Sequence, residues 1–158
     1  MQKITPFLWF DTQAEEAANY YTSIFNNSEV LSVSRGGDTE AGEPGPAFMV
    51  NFQVEGQEFY ALNGGPHFKF NPAISLFVSC ENQEEVDDLW TRLCDGGAPS
   101  QCGWLTDKFG LSWQIIPKAL GELMGDPDPV KSKRVMNAMF KMTKIDIAEL
   151  QRAYEASE

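Results

Sequence analysis

Few side chains in this sequence have the types and spacing needed for acid–base, nucleophilic or metal chemistry. Its 158 residues include one histidine, His67, and three cysteines, Cys80, Cys94 and Cys102. One imidazole excludes, within a single chain, a zinc site of two or three histidines, and forces any Ser–His or Cys–His pair to run through His67. His67 stands in a Gly-Gly-Pro-His-Phe loop, where packing and function are both open readings. The cysteines are odd in number and lack C-x-x-C spacing, so they read as reduced, packed thiols in a reducing compartment. The acidic residues Glu81, Glu84, Glu85, Asp87 and Asp88 open a helical pattern. Carboxylates there face the positive end of the helix dipole and water, so they are assigned no chemistry.

Composition narrows the partners further. Apolar residues make up 42% and charged residues 22%, the balance of a single globular domain able to fold alone. The net charge of -11 opposes binding to a phosphate backbone, which needs clustered Lys and Arg, so no nucleic-acid partner is expected. The apolar runs at 4–10 and 73–78 are far shorter than the roughly 20 residues of a membrane span. With no signal-peptide pattern at the start, a cytoplasmic protein without a membrane partner is expected. Charge divides unevenly: residues 1–117 hold 5 basic and 16 acidic side chains, whereas 118–158 hold 7 of each. This predicts a body over 1–117, in two parts at about 1–66 and 67–117, and a helical tail over 118–158.

Hydrophobic periodicity places the elements. Residues 4–10 form an apolar strand pattern, and Asp11 or Thr12 can cap a helix carrying Ala17, Tyr20, Tyr21, Ile24 and Phe25 at helical spacing. Strands follow at 29–34, 47–54 and 58–62, the last two joined by Glu55-Gly56, with a Gly/Pro/acidic loop containing Gly36-Gly37 before the second. The order then begins again with a strand at 74–80, a helix at 83–93, a stop at Gly96-Gly97, and strand segments near 101–106 and 111–116. The latter turn at Asp107-Lys-Phe-Gly110. At an offset of 70, Ile4 faces Ile74, Phe7 faces Phe77, Gln13 faces Gln83 and Glu15 faces Glu85 without a gap. A duplicated βαβββ unit is therefore predicted.

Paired βαβββ modules making a cupped mixed sheet resemble the vicinal oxygen chelate fold of glyoxalases, extradiol dioxygenases and bleomycin-resistance proteins. More narrowly, Ile4-Thr-Pro-Phe-Leu-Trp-Phe-Asp11, Ala61-Leu-Asn-Gly-Gly-Pro66, Gln101-Cys-Gly-Trp104 and Asp107-Lys-Phe-Gly-Leu-Ser-Trp-Gln-Ile115 are similar to the PhnB-like family. So is the tail stretch 135–146, which extends the resemblance over nearly the whole chain. The fold class implied is α+β, with a C-terminal helical tail. Members often carry the name 3-demethylubiquinone-9 3-methyltransferase. A nucleotide-type methyl-donor site needs a Gly-rich strand-to-helix turn, and Gly36-Gly37, Gly64-Gly65 and Gly96-Gly97 read instead as loop, turn and helix stop. The superfamily's metal positions fall on Gln114, Tyr60, Ile4 or Pro6, and Ile74 or Leu76. With no carboxylate, imidazole or thiolate among them, no metal or other cofactor is expected.

Strand alternation puts Gln114 with Ser112 and Ile116, and the resemblance turns that side into the cup. The candidate ligand pocket is Tyr60, Leu62, His67, Cys102, Trp104 and Gln114, apolar with a few polar handles. Three functions stay open: a binding protein for a small apolar or aromatic molecule, a metal-independent enzyme using Gln114, Tyr60, Cys102 or His67, and a protein whose dimer surface is its function. A homodimer is expected because sheet edges and apolar faces need cover. In the tail, Asp128-Pro129 and Asp146 should each begin a helix. The apolar set Val135, Met136, Met139, Phe140 and Met142 packs on the body or on a second subunit.

Overall fold

The computed structural model describes residues 2–35 and 47–156, so the Gly/Pro/acidic loop with Gly36-Gly37 lies outside the described residues. Contacts divide the chain into two units, Met1–Phe70 and Asn71–Glu158. The first runs β1 (Phe7–Phe10), α1 (Ala14–Ile24), β2 (Glu29–Arg35), β3 (Ala47–Val54) and β4 (Gln57–Asn63). The second repeats it as β5 (Ser75–Cys80), α2 (Gln83–Cys94), β6 (Ala98–Pro99), β7 (Trp104–Thr106) and β8 (Ser112–Pro117), then adds α3 (Lys118–Met124), α4 (Pro129–Met139) and α5 (Ile147–Glu155). The two sheets have the same order, β1-β4-β3-β2 and β5-β8-β7-β6, with the first and last strands parallel and the rest antiparallel. This is the α+β architecture of paired βαβββ modules with a C-terminal helical tail.

The duplication extends to register. Phe7 stands beside Tyr60 in the first sheet and Phe77 beside Gln114 in the second, so the 70-residue offset equates Tyr60 with Gln114 on the ladder. In each unit one sheet face is closed by its helix. Leu8, Phe10, Val50, Phe52, Phe59 and Ala61 are buried, as are Ala14, Ala17, Ala18 and Tyr21 of α1. The second unit buries Cys80, Leu105, Trp113 and Ile115, with Val86, Leu89 and Leu93 of α2.

Local chemistry explains most of the boundaries. Glu55 and Gly56 have φ of 49° and 80°, the paired left-handed conformation of a two-residue hairpin turn whose twist matches the strands. Asn82 caps α2 by accepting from the Glu85 amide at 2.9 Å. Asp128 caps α4 from the Val130 amide at 2.9 Å with Pro129 at the first helical position, and Asp146 caps α5 from the Glu149 amide at 3.3 Å. Two helices thus follow Asp128, as the sequence predicts. The start of α1 differs from expectation. Neither Asp11 nor Thr12 caps it; Gln13 holds the cap position without a side-chain bond, and the Ala14 amide donates to Asn63 Oδ1 at 2.8 Å. Asn63 also donates to the Ala47 carbonyl, so one β4 side chain fastens α1 and β3 together. The first strand begins at Phe7, because residues 4–6 precede the parallel pairing.

The tail shares a core with the second sheet. Ile116 of β8 packs with Leu120, Val135, Ile145 and Leu150, and Met124, Met139, Met142 and Tyr154 lie against them. Phe140 instead stays 56% exposed.

Candidate functional site

The second sheet's other face, turned away from α2, carries the site. On β8 the side chains alternate, so Trp113 and Ile115 face α2 whereas Gln114 and Ile116 face the opposite way. Beside Gln114 on β5 and β7 stand Phe77 and Trp104. Gln114 Nε2 donates to Ser75 Oγ at 3.0 Å, which fixes the carboxamide plane. The expectation of Ile74 or Leu76 on this face is corrected by one residue: parallel pairing sets Leu76 beside Trp113 and leaves Ser75 and Phe77 with Gln114. A one-residue change of register exchanges the two faces of a strand.

The Asp107–Gly110 turn holds β8 in place. Asp107, only 2% exposed, accepts from the Phe109 and Leu111 amides at 2.9 and 3.1 Å through Oδ1, and from Trp113 Nε1 at 2.8 Å through Oδ2. Gly110 completes the turn with φ of 90°. The loop before β7 is fixed from the tail, with the Cys102 and Gly103 amides donating to Met142 and Thr143 carbonyls at 2.9 and 2.8 Å. Gly103 is at φ 84°, and a Cβ there would lie 2.7 Å from Ile116 Cδ1, so only glycine allows this approach. On the far side, Gln83 of α2 accepts from the Ile147 amide at 2.8 Å and donates to the Ile145 carbonyl at 3.0 Å.

Beside these supports lies an open concavity of about 660 Å³, a volume within the range of small-molecule sites. The sheet supplies Phe77, Trp104, Gln114 and Ile116. The loop before β7 supplies Ser100, Gln101 and Cys102, and the tail supplies Leu120, Gly121, Met124, Met139 and Phe140. None of the twelve is charged. Of the six residues singled out in the sequence, Cys102, Trp104 and Gln114 therefore line one concavity. Tyr60 and Leu62 lie in the first unit on β4, where Tyr60 meets Phe7 with ring centres 5.9 Å apart. His67 is exposed in the loop after β4. In that unit Trp9 donates to the Gly65 carbonyl at 2.9 Å and meets Phe68 edge-on. Helical periodicity marks the tail residues of the concavity only as packing, and no sequence signal separates Met139 and Phe140 from the rest of that apolar set.

Comparison with known proteins gives the lineage. The family model described as 3-demethylubiquinone-9 3-methyltransferase matches residues 2–116. The chain belongs to this family. The PhnB protein of Bacillus cereus is 41% identical, with 73% of this chain and 99% of that one covered and a TM-score of 0.66. The Pseudomonas aeruginosa protein PA1353 shares the fold, with a TM-score of 0.58 at 17% identity and coverage of 74% and 98%. A glyoxylase/bleomycin resistance protein/dioxygenase domain from Frankia is also similar, at 17% identity, coverage of 74% and 92%, and a TM-score of 0.49. No curated protein matches. The family match stops at 116, so the expected resemblance of residues 135–146 lies beyond it, and the tail is additional to the matched PhnB-like body.

A divalent cation on the second sheet would meet Gln114, Ser75 and Phe77, a neutral set that cannot replace its lost hydration. Among the described residues no three His, Cys, Asp or Glu converge on a metal-sized site. A nucleoside methyl donor fits no better. Glycine is absent from Asp11-Thr12-Gln13 between β1 and α1 and from Glu81-Asn82 between β5 and α2, the strand-to-helix turns where the donor's ribose would need close backbone approach. Gly64 is packed against Trp9 and Gly97 against the Thr106 carbonyl, where a Cβ would fall within 2.4 and 2.1 Å of them.

Proposed function

We propose that this PhnB-like chain is a cytoplasmic, homodimeric binding protein that takes a neutral apolar or aromatic molecule in the concavity of its second unit, without a tightly bound metal. The observation that carries this reading is the uncharged lining, in a chain of net charge -11. A charged ligand entering such walls would lose hydration without an ionic partner, whereas a neutral ring gains buried area against Phe77, Trp104 and Phe140. Gln114 gives the site direction. Its Nε2 is engaged by Ser75, and its Oε1 remains able to accept a hydrogen bond from a hydroxyl or N–H on the ligand. Phe7 and Phe77, at equivalent ladder positions, are 53% and 60% exposed, and such apolar faces support both ligand contact and pairing with a second copy.

The test is equilibrium titration of purified protein with neutral mono- and bicyclic phenols and a short-chain demethylated ubiquinone, read by tryptophan fluorescence and calorimetry. Saturable binding at one site per chain, unchanged by chelator and weakened by Trp104→Ala, is expected. Absence of binding for every neutral compound, or binding that requires added zinc, nickel or manganese, overturns the reading.

A further inference from the structure

In the first unit, Asn51 Oδ1 on β3 is shut off from solvent and accepts no hydrogen bond among the described residues. A buried acceptor in that state has lost its hydration and recovered nothing, so native folds keep few of them. Alternation directs Asn51 away from α1, because its neighbours Val50 and Phe52 are buried on the helix side of the sheet. On the same open face, Tyr60 of β4 stands beside Asn51, and Phe7 of β1 stands beside Tyr60. The two rings lie 5.9 Å apart with a tilt of 50°, and Phe7 is 53% exposed. Glu58, two residues before Tyr60 and therefore on this face, makes no ion pair among the described residues. β1, β3 and β4 contain no Lys or Arg, and Arg35 of β2 is engaged by Glu15 of α1 at 2.8 Å. Aromatic rings, an unused acceptor and a carboxylate thus share a face to which these three strands bring no basic side chain.

The geometry points to a second ligand site, on the first unit, that takes an organic ammonium ion carrying at least one N–H: the ammonium donates to Asn51 Oδ1, Tyr60 and Phe7 receive its charge, and Glu58 balances it. A cation is attracted to the face of an aromatic ring, and a hydrogen bond from a charged donor is roughly twice as strong as a neutral one. The ladder equivalents in the second unit are Trp104 for Asn51 and Gln114 for Tyr60, in a lining with no charged residue. The two units therefore divide cationic from neutral ligands. This inference goes beyond the function proposed above and does not depend on it.

The experiment is calorimetric titration of the full chain at neutral pH with 2-phenylethylammonium, with neutral 2-phenylethanol, and with the quaternary trimethyl(2-phenylethyl)ammonium. Amide chemical shifts on β3 and β4 report where each binds. The ammonium should bind at least about tenfold more tightly than the alcohol, and the quaternary ion, charged but without an N–H, should fall between them. Asn51→Leu should lower ammonium affinity at least about tenfold. Glu58→Gln should weaken it a few-fold, whereas Glu16→Gln, the same charge change on the exposed side of α1, should leave it unchanged. Wild-type protein that binds ammonium and alcohol equally, or neither, overturns the inference without recourse to any variant. So does equal weakening by Glu58→Gln and Glu16→Gln, which would make the attraction one of net charge alone. Ammonium affinity untouched by Asn51→Leu overturns it as well. If wild type binds no ammonium and Asn51→Leu shifts sedimentation towards monomer, the face belongs to a second copy and the inference fails. All these outcomes leave the neutral site of the second unit standing, and failure of phenol binding there leaves this inference standing.

Discussion

Asp107 shows how one carboxylate fixes the strand that bears the site. It satisfies two turn amides and the indole N–H of Trp113, all in a buried setting. Removing an acceptor from buried donors costs about 1–3 kcal/mol each. Asp107→Ala is therefore expected to destabilise the protein by several kcal/mol in urea unfolding. Asp107→Asn should lose less, because Oδ1 can still serve the turn while its amide opposes the Trp113 N–H. Equal stability of Asp107→Ala and wild type would refute this account. The Cys80 thiol gives a pH prediction. Burial pushes its pKa up to about 12 from 9.0, and the nearby Glu85 carboxylate adds to the shift. The folded state holds this proton where the unfolded chain releases it, so stability is full below pH 9 and falls between about pH 9 and 12. Cys80→Ala should show a shallower fall over that window, measured by denaturant titration at successive pH values. At the same scale, much was legible in advance. Glu55-Gly56, Asp107–Gly110, Asp128 and Asp146 act on neighbours within a few residues, so their types and spacing sufficed.

At the scale of elements, legibility failed where a partner lies far along the chain. The α1 amide is capped by Asn63, 49 positions away, which no local pattern reports. The face shared by Gln114 with Ser75 and Phe77 depends on the register of a parallel pair, and alternation within β5 alone gives two equal choices. The tail illustrates the same point. Its helices and caps were readable, but its docking depends on Gln83, whose side chain bridges Ile145 and Ile147. Gln83→Ala should lower stability by about 1–2 kcal/mol and speed amide exchange in α5 while leaving the first unit's sheet protected. Uniform acceleration over both units would contradict that assignment. Gly103→Ala should act on the same docking more severely, since its Cβ would be driven into Ile116 and Ile145 from a left-handed backbone.

At the scale of the whole molecule, the neutral sheet face bears on metals and the exposed apolar residues bear on assembly. Zinc, nickel or manganese should not raise the melting temperature, because stabilisation by a ligand requires preferential binding to the folded state and the Gln114 face offers no anionic or imidazole donor. One equivalent of metal lost on Gln114→Ala would count against this. Sedimentation should give a species near twice 17.6 kDa at micromolar concentration, and a monomer would refute the proposed homodimer. Among the described residues no helix is long and apolar enough to cross a membrane.

The shared core of Ile116, Leu120, Val135, Ile145 and Leu150 also governs the order in which the chain can mature during synthesis. The first unit finds its strand partners and helix within Met1–Phe70 and can close as soon as that length has left the ribosome. The second cannot. Its strand β8 ends at Pro117, but the residues that cover Ile116 include one more than thirty positions later, so at about 5–20 residues per second this face waits for seconds with its apolar side chains open. Nascent chains halted so that the last residue outside the ribosome lies between 118 and 144 should therefore present a finished first unit joined to a sheet that chaperones still recognise.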